Sequence, residues 1–123
     1  MEHDATRPDF DRIGYAKGVP MGGDLSAAPS GGAPRFMVFA MKDLSGANLD
    51  RIQIIKGWLD ARGDTHEAVY DIALSDERIV DPKTGKAPPV ESSVDLAIPT
   101  YYNTVGEATL ATVWSDPEFD PSQ

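Results

Sequence analysis

At 123 residues the chain has room for one domain at most, since domains cluster around ~100–150 residues. Twenty acidic against eleven basic residues leave a formal net charge of −9, which argues against nucleic acid and anionic membrane as partners, because binders of polyanions carry basic stripes that displace counterions. Without cysteine there is no disulfide framework, thiolate nucleophile or Cys-ligated zinc, and the sequence leaves the compartment unassigned.

The chain opens Met1-Glu2-His3-Asp4 without the basic and apolar regions of a signal peptide, and no apolar run reaches the ~20 residues of a membrane helix. Residues 1–34 mix charges with Pro8, Pro20, Gly22-Gly23 and Ala27-Ala28-Pro29-Ser30-Gly31-Gly32-Ala33-Pro34. Proline removes a donor and glycine loses the most entropy on ordering, so this stretch reads as an irregular linker or surface-draped segment, with a short helix over 10–16 its one regular piece.

Phe36-Met37-Val38-Phe39-Ala40-Met41 is an unbroken apolar run of strand length, expected to be covered on both faces. It stops at the turn-rich Lys42-Asp43-Leu44-Ser45-Gly46. Residues 49–59 fit two periods: Leu49, Ile52, Ile55 and Leu59 fall at helical spacing, whereas Ile52, Ile54 and Trp58 nearly alternate. Three isoleucines and a tryptophan favour a strand, and Gly57 costs a helix interior about 1 kcal/mol. Asp60-Ala61-Arg62-Gly63-Asp64 then reads as a hairpin turn with glycine at positive φ, leading into a second strand over 65–74.

Residues 75–89 turn polar, with a tight turn at Asp81-Pro82-Lys83-Thr84-Gly85. Short strands are expected over 94–102 and 108–114, and residues 116–123 form an acidic, proline-containing tail. The expected class is mostly β, an incomplete antiparallel sheet or half sandwich over residues 35–115, whose buried face needs a partner layer the chain hardly supplies.

Candidate chemistry is sparse. His66 and Glu67 are adjacent in a strand and point to opposite faces, so they are badly placed to share one metal ion, and a strand-surface histidine is the reading. His3-Asp4 reads as a fraying terminus. Asp116, Glu118 and Asp120 present carboxylates at alternate positions, but no loop glycine or closing glutamate follows at calcium-loop spacing, so a solvated tail is expected. Gly18-Val19-Pro20-Met21-Gly22-Gly23-Asp24-Leu25 lacks the Lys-Ser/Thr ending of a phosphate loop. No Gly-x-Ser-x-Gly elbow is present either. The residues therefore point to no catalytic, cofactor-binding or metal-binding site.

Several strings in register nevertheless look familiar. They are Lys17-Gly18-Val19-Pro20-Met21-Gly22-Gly23-Asp24-Leu25, Gly46-Ala47-Asn48-Leu49-Asp50-Arg51-Ile52-Gln53-Ile54-Ile55-Lys56-Gly57-Trp58, Val69-Tyr70-Asp71, Val94-Asp95-Leu96, Asn103-Thr104-Val105-Gly106 and Leu110-Ala111-Thr112-Val113-Trp114-Ser115-Asp116-Pro117-Glu118-Phe119-Asp120-Pro121. Together they resemble the C-terminal region of the bacterial domain-of-unknown-function 3604 family. The resemblance implies a parent several times longer, with an N-terminal part similar to the polymerase-and-histidinol-phosphatase group of metal-dependent hydrolases, and with sequence continuing past the Asp-Pro-x-Phe-Asp-Pro string. It would make this chain a noncatalytic accessory β fragment truncated at both ends. Its partner would be the remainder of that parent or a second copy.

One other expectation comes from the residues themselves, and a second rests on the resemblance. Trp58, Tyr70, Tyr101, Tyr102 and Trp114 would serve a small independent binding module as an aromatic platform for a carbohydrate or protein partner. Exposure of both Tyr101 and Tyr102 beside a groove favours that reading. Alternatively Asp24 would be lent to the parent's active site, although no spacing argument selects it over other carboxylates.

Overall fold

A computed structural model describes residues 4–26 and 32–122. A single 3-10 turn at Asp4–Thr6 precedes helix α1 (Phe10–Lys17). Six strands follow among the described residues: β1 (Arg35–Met41), β2 (Arg51–Leu59), β3 (Thr65–Leu74), β4 (Val94–Asp95), β5 (Thr100–Tyr101) and β6 (Thr109–Ser115). The expected mostly β class is the observed one. Its strands are distributed over three two-stranded pairs, β1 with β6, β2 with β3, and β4 with β5.

The helix forms where a short one is expected, over 10–16, and runs one residue further. Asp11 in its first turn and Lys17 in its last complement the helix dipole. Asp9 at its start makes no capping bond to the helix backbone. Its carboxylate instead takes Arg7 and Arg12, each at 2.9 Å, and these hydrogen bonds, Arg7's first, lower its pKa to about 2. Gly14 allows a close approach to β1, since a Cβ there would meet Met37 Cε at 2.9 Å.

Antiparallel pairing of β1 with β6 is set by Lys42 N–H donating to the Ala108 carbonyl (3.0 Å) and Asp116 N–H to that of Pro34 (3.4 Å). One register connects the two bonds and places Phe36 opposite Trp114, whose ring centroids are 5.8 Å apart. The β2–β3 hairpin closes as its sequence foretells. Asp60 N–H donates to Asp64 O at 3.0 Å, Gly63 sits at φ +85, and Asp60 Oδ1 accepts from the amides of Arg62 (2.8 Å) and Asp64 (3.0 Å). The turn at 81–85 is likewise present, with Asp81 bridged to Lys86.

Three expectations are corrected. The single strand expected over 94–102 is a hairpin, with Val94 opposite Tyr101 and Asp95 opposite Thr100. The Asp95 carboxylate accepts from the amides of Ala97 (2.9 Å) and Ile98 (3.3 Å), which competes with ladder pairing, and Pro99 has no amide to donate. Second, β1 has the expected length and place but is not covered on both faces: Phe36, Phe39 and Met41 are exposed. Third, Asp116 is not solvated; it is 7% exposed, and its carboxylate accepts from the Glu118 amide at 3.0 Å.

The chain divides into two compact units: Met1–Val38 with Trp58–His66 and Ala111–Gln123, and Phe39–Gly57 with Glu67–Leu110. Among the described residues the buried apolar side chains are Ala5 in the first and Leu110 in the second. Eighteen large apolar or aromatic side chains among the described residues are exposed. That proportion is inverted for a self-sufficient domain, in which Ile, Val, Leu and Phe are the residues most often fully buried.

Candidate interaction surface

The β2–β3 hairpin presents two unlike faces in the second unit. Strand alternation puts Gln53 and Ile55 on one side and Ile52 and Ile54 on the other. Across the pair, Gln53 Nε2 donates to Asp71 Oδ1 at 2.8 Å, and the same register sets Ile55 opposite Val69. Ile52, Ile54 and Tyr70 are half-buried. Ile55 and Val69, by contrast, are 67% and 51% exposed, so their apolar area is available to a further surface.

A second apolar patch surrounds the β4–β5 hairpin. Val94, Leu96, Ile98, Tyr101 and Tyr102 are all exposed. An open groove of about 320 Å³ is lined by Val94, Asp95, Leu96, Pro99, Thr100 and Tyr101. Tyr101 Oη donates to the Ser45 carbonyl at 3.2 Å, which orients the ring. The turn bonds to Asp95 brace the apolar tip, and a braced tip loses less entropy when it docks.

The second unit also holds a polar knot that sequence reading missed. Ser75 is fully buried; its hydroxyl and amide both donate to the Asp50 carbonyl, at 2.9 and 3.1 Å. The Arg78 guanidinium donates to Asp50 O (2.6 Å), Asp50 Oδ1, Ser75 O (3.0 Å) and Pro88 O (2.7 Å). Arg51 pairs with Asp71 at 3.1 Å. Burial pushes the Asp50 carboxyl up, but hydrogen bonds from Arg78 and then Arg51 outweigh it and hold the pKa below its ordinary value. Asp76 and Glu77, at φ 57 and 54, occupy the left-handed region that costs L-residues roughly 1–2 kcal/mol each. Asp76 Oδ2 offsets part of that strain by accepting from Gly106 N–H at 2.8 Å. The only local signal was the polar run Ser75-Asp76-Glu77-Arg78 at a strand end.

At the hairpin tip, in the first unit, His66 stacks on Trp58 with centroids 5.3 Å apart and planes 19° apart. Its Nε2 lies 3.0 Å from Asp60 Oδ2. His66 is thus a strand-surface histidine, as its position predicted. Hydrogen bonding to His66, then to the Asp64 and Arg62 amides, holds the Asp60 carboxyl below the usual carboxylate range. A lowered folded-state pKa contributes stability that is complete above the unfolded value and lost as pH falls through the folded one. Asp60→Asn should therefore lower stability at neutral pH, where that contribution is complete, and flatten the acid limb of a thermal-stability profile below about pH 4; an unaltered limb would show that Asp60 carries no such linkage.

The remaining candidates are not brought together. His3 lies outside the described residues. Asp24 is exposed, as are Glu118 and Asp120. Among the described residues no three His, Asp or Glu side chains are placed to hold a metal ion. The aromatic residues are divided, with Trp58 and Trp114 in the first unit and Tyr70, Tyr101 and Tyr102 in the second.

Short antiparallel pairs, a minimal interior and apolar faces turned outward define a mostly β module built around its surface. The chain belongs to the family described as protein of unknown function (DUF3604), the match running over residues 1–123. No curated protein and no solved structure matches it.

Proposed function

We propose that the chain is a noncatalytic accessory β element of a larger, metal-dependent hydrolase-like protein, and that it lays its apolar faces on another polypeptide surface: the remainder of that protein or a second copy. The observation that carries the reading is the inverted burial, eighteen large apolar side chains exposed against Ala5 and Leu110 buried among the described residues. Full burial of a Val, Leu, Ile or Phe side chain is worth about 1.5–3 kcal/mol. Even Ile55, Val69 and Leu96 alone would thus contribute several kcal/mol on docking. The hydrolase association rests on the family resemblance, and the accessory role on the outward apolar faces.

The purified chain should show a mass that grows with concentration in size-exclusion chromatography with light scattering, together with strong binding of a hydrophobic dye. Ile55→Thr combined with Val69→Thr should reduce both, while each substitution changes thermal stability by no more than about 0.5 kcal/mol. A monodisperse, cooperatively melting monomer that ignores the dye would overturn the accessory reading. Added Mn²⁺ or Zn²⁺ should leave the melt unchanged.

A second reading is supported by the exposure of both Tyr101 and Tyr102 beside the β4–β5 groove. Here the chain is an independent binding module for a carbohydrate or protein. Titration with soluble oligosaccharides, followed by tyrosine fluorescence, separates the two: saturable binding lost in Tyr101→Ala favours the module.

A further inference from the structure

We infer that the tip of the β2–β3 hairpin is a proton-responsive clamp, in which His66, held between the Trp58 ring and the Asp60 carboxylate, takes up a proton at Nδ1 and fastens the turn. The argument starts from Asp60. Its Oδ1 accepts from the Arg62 and Asp64 amides at 2.8 and 3.0 Å, and its Oδ2 lies 3.0 Å from His66 Nε2. An ionised carboxylate only accepts, so in the neutral imidazole Nε2 must carry the hydrogen and Nδ1 the lone pair. The arriving proton therefore binds at Nδ1, leaving every existing bond in place.

Protonation strengthens two of those contacts. The Nε2–H···Oδ2 bond becomes charge-assisted, a class roughly twice as strong as its neutral counterpart. The stacked ring becomes a cation whose centroid is 5.3 Å from that of Trp58, within the ~6 Å over which an indole face attracts positive charge. Because Asp60 also ties down two turn amides, a tighter His66–Asp60 bond holds the turn as well as the imidazole.

The surrounding charges are mixed. Arg62 and Asp64 lie in the turn itself, Lys56 is two residues before Trp58 on the same strand side, and Glu67 projects to the opposite side. Lys56 and Arg62 oppose the imidazolium, whereas Asp60 and Asp64 favour it, and of these four the contact at hydrogen-bond distance is Asp60. The clamp has a lower limit as well. It tightens as His66 protonates and releases when falling pH protonates Asp60.

The test uses the whole chain carrying Trp114→Phe, so that emission reports Trp58. Imidazolium quenches a stacked indole, so emission should fall as pH is lowered from about 8 to about 5, the interval in which histidine titrates, and His66→Gln should abolish the change. Nitrogen-detected NMR of the unsubstituted chain, which has only two histidines, provides an independent readout. Neutral His66 should be the Nε2–H tautomer. Emission that ignores pH, an identical titration in His66→Gln, or an Nδ1–H tautomer would each overturn the clamp.

Discussion

Arg78→Ala is expected to abolish the cooperative melt of this chain. The Arg78 side chain is 10% exposed, and its guanidinium bonds Asp50 O and Oδ1, Ser75 O and Oγ, and Pro88 O. Truncation strands these acceptors around a fully buried Ser75, and each buried acceptor left without its donor costs about 1–3 kcal/mol. A chain with so few buried apolar side chains has a small stability from which to subtract. Circular dichroism on heating measures the effect: a broad, noncooperative decay is the expected trace, and a transition within a degree or two of the parent's would show that water replaces the guanidinium without loss. Arg78→Lys keeps the charge but not the planar fork, and should recover only part of the transition.

Acid should act on the same knot. The Asp50 pKa is held down by Arg78 and Arg51 against the opposing effect of burial, so its contribution is complete above the ordinary carboxylate range and fades as pH falls below it. The Asp50 side chain is 44% exposed; solvent screening therefore limits how much the acid limb can carry.

Gly106→Ala carries the second large effect. Gly106 sits at φ +79, and a Cβ there would lie 2.7 Å from Leu49 O and 2.9 Å from Asn48 Cβ. Neither neighbour is free to retreat. Leu49 is bridged to Glu107 by two backbone bonds of 2.8 and 3.0 Å, and the Asn48 side chain donates to Val105 O at 3.0 Å. Left-handed strain plus a backbone clash amounts to about 3 kcal/mol. Gly85→Ala is the control, since Gly85 also has positive φ but its Cβ would meet nothing within 4 Å. It should cost roughly 1–2 kcal/mol, the strain alone. Equal destabilisation of the two variants would show that the 103–107 loop shifts to accommodate a methyl group.

Both of these positions lay beyond sequence reading, for a shared reason. Asp50, Ser75 and Arg78 stand at the ends of two strands, and they meet only because the hairpin between them closes. Gly106 looks like one glycine among eleven until Asn48 and Leu49 are laid against it. By contrast, β1, β6, the 60–64 turn and the strand character of 51–59 could be read directly, because each rests on dihedral preference and side-chain period within a few neighbouring residues. Asp95 and Pro99 also stood in plain view, yet the β-branched and aromatic residues around them masked the hairpin.

The acidic surface, the missing thiol chemistry and the short strands were therefore settled by composition and local pattern. The pairing of β1 with β6, the burial of Asp116, the fully buried Ser75 and the side of each hairpin left uncovered were settled by folding. Local preference specifies how a strand forms, but its hydrogen-bonding partner and its covered face depend on which distant segment can satisfy its amides and exclude water from its side chains.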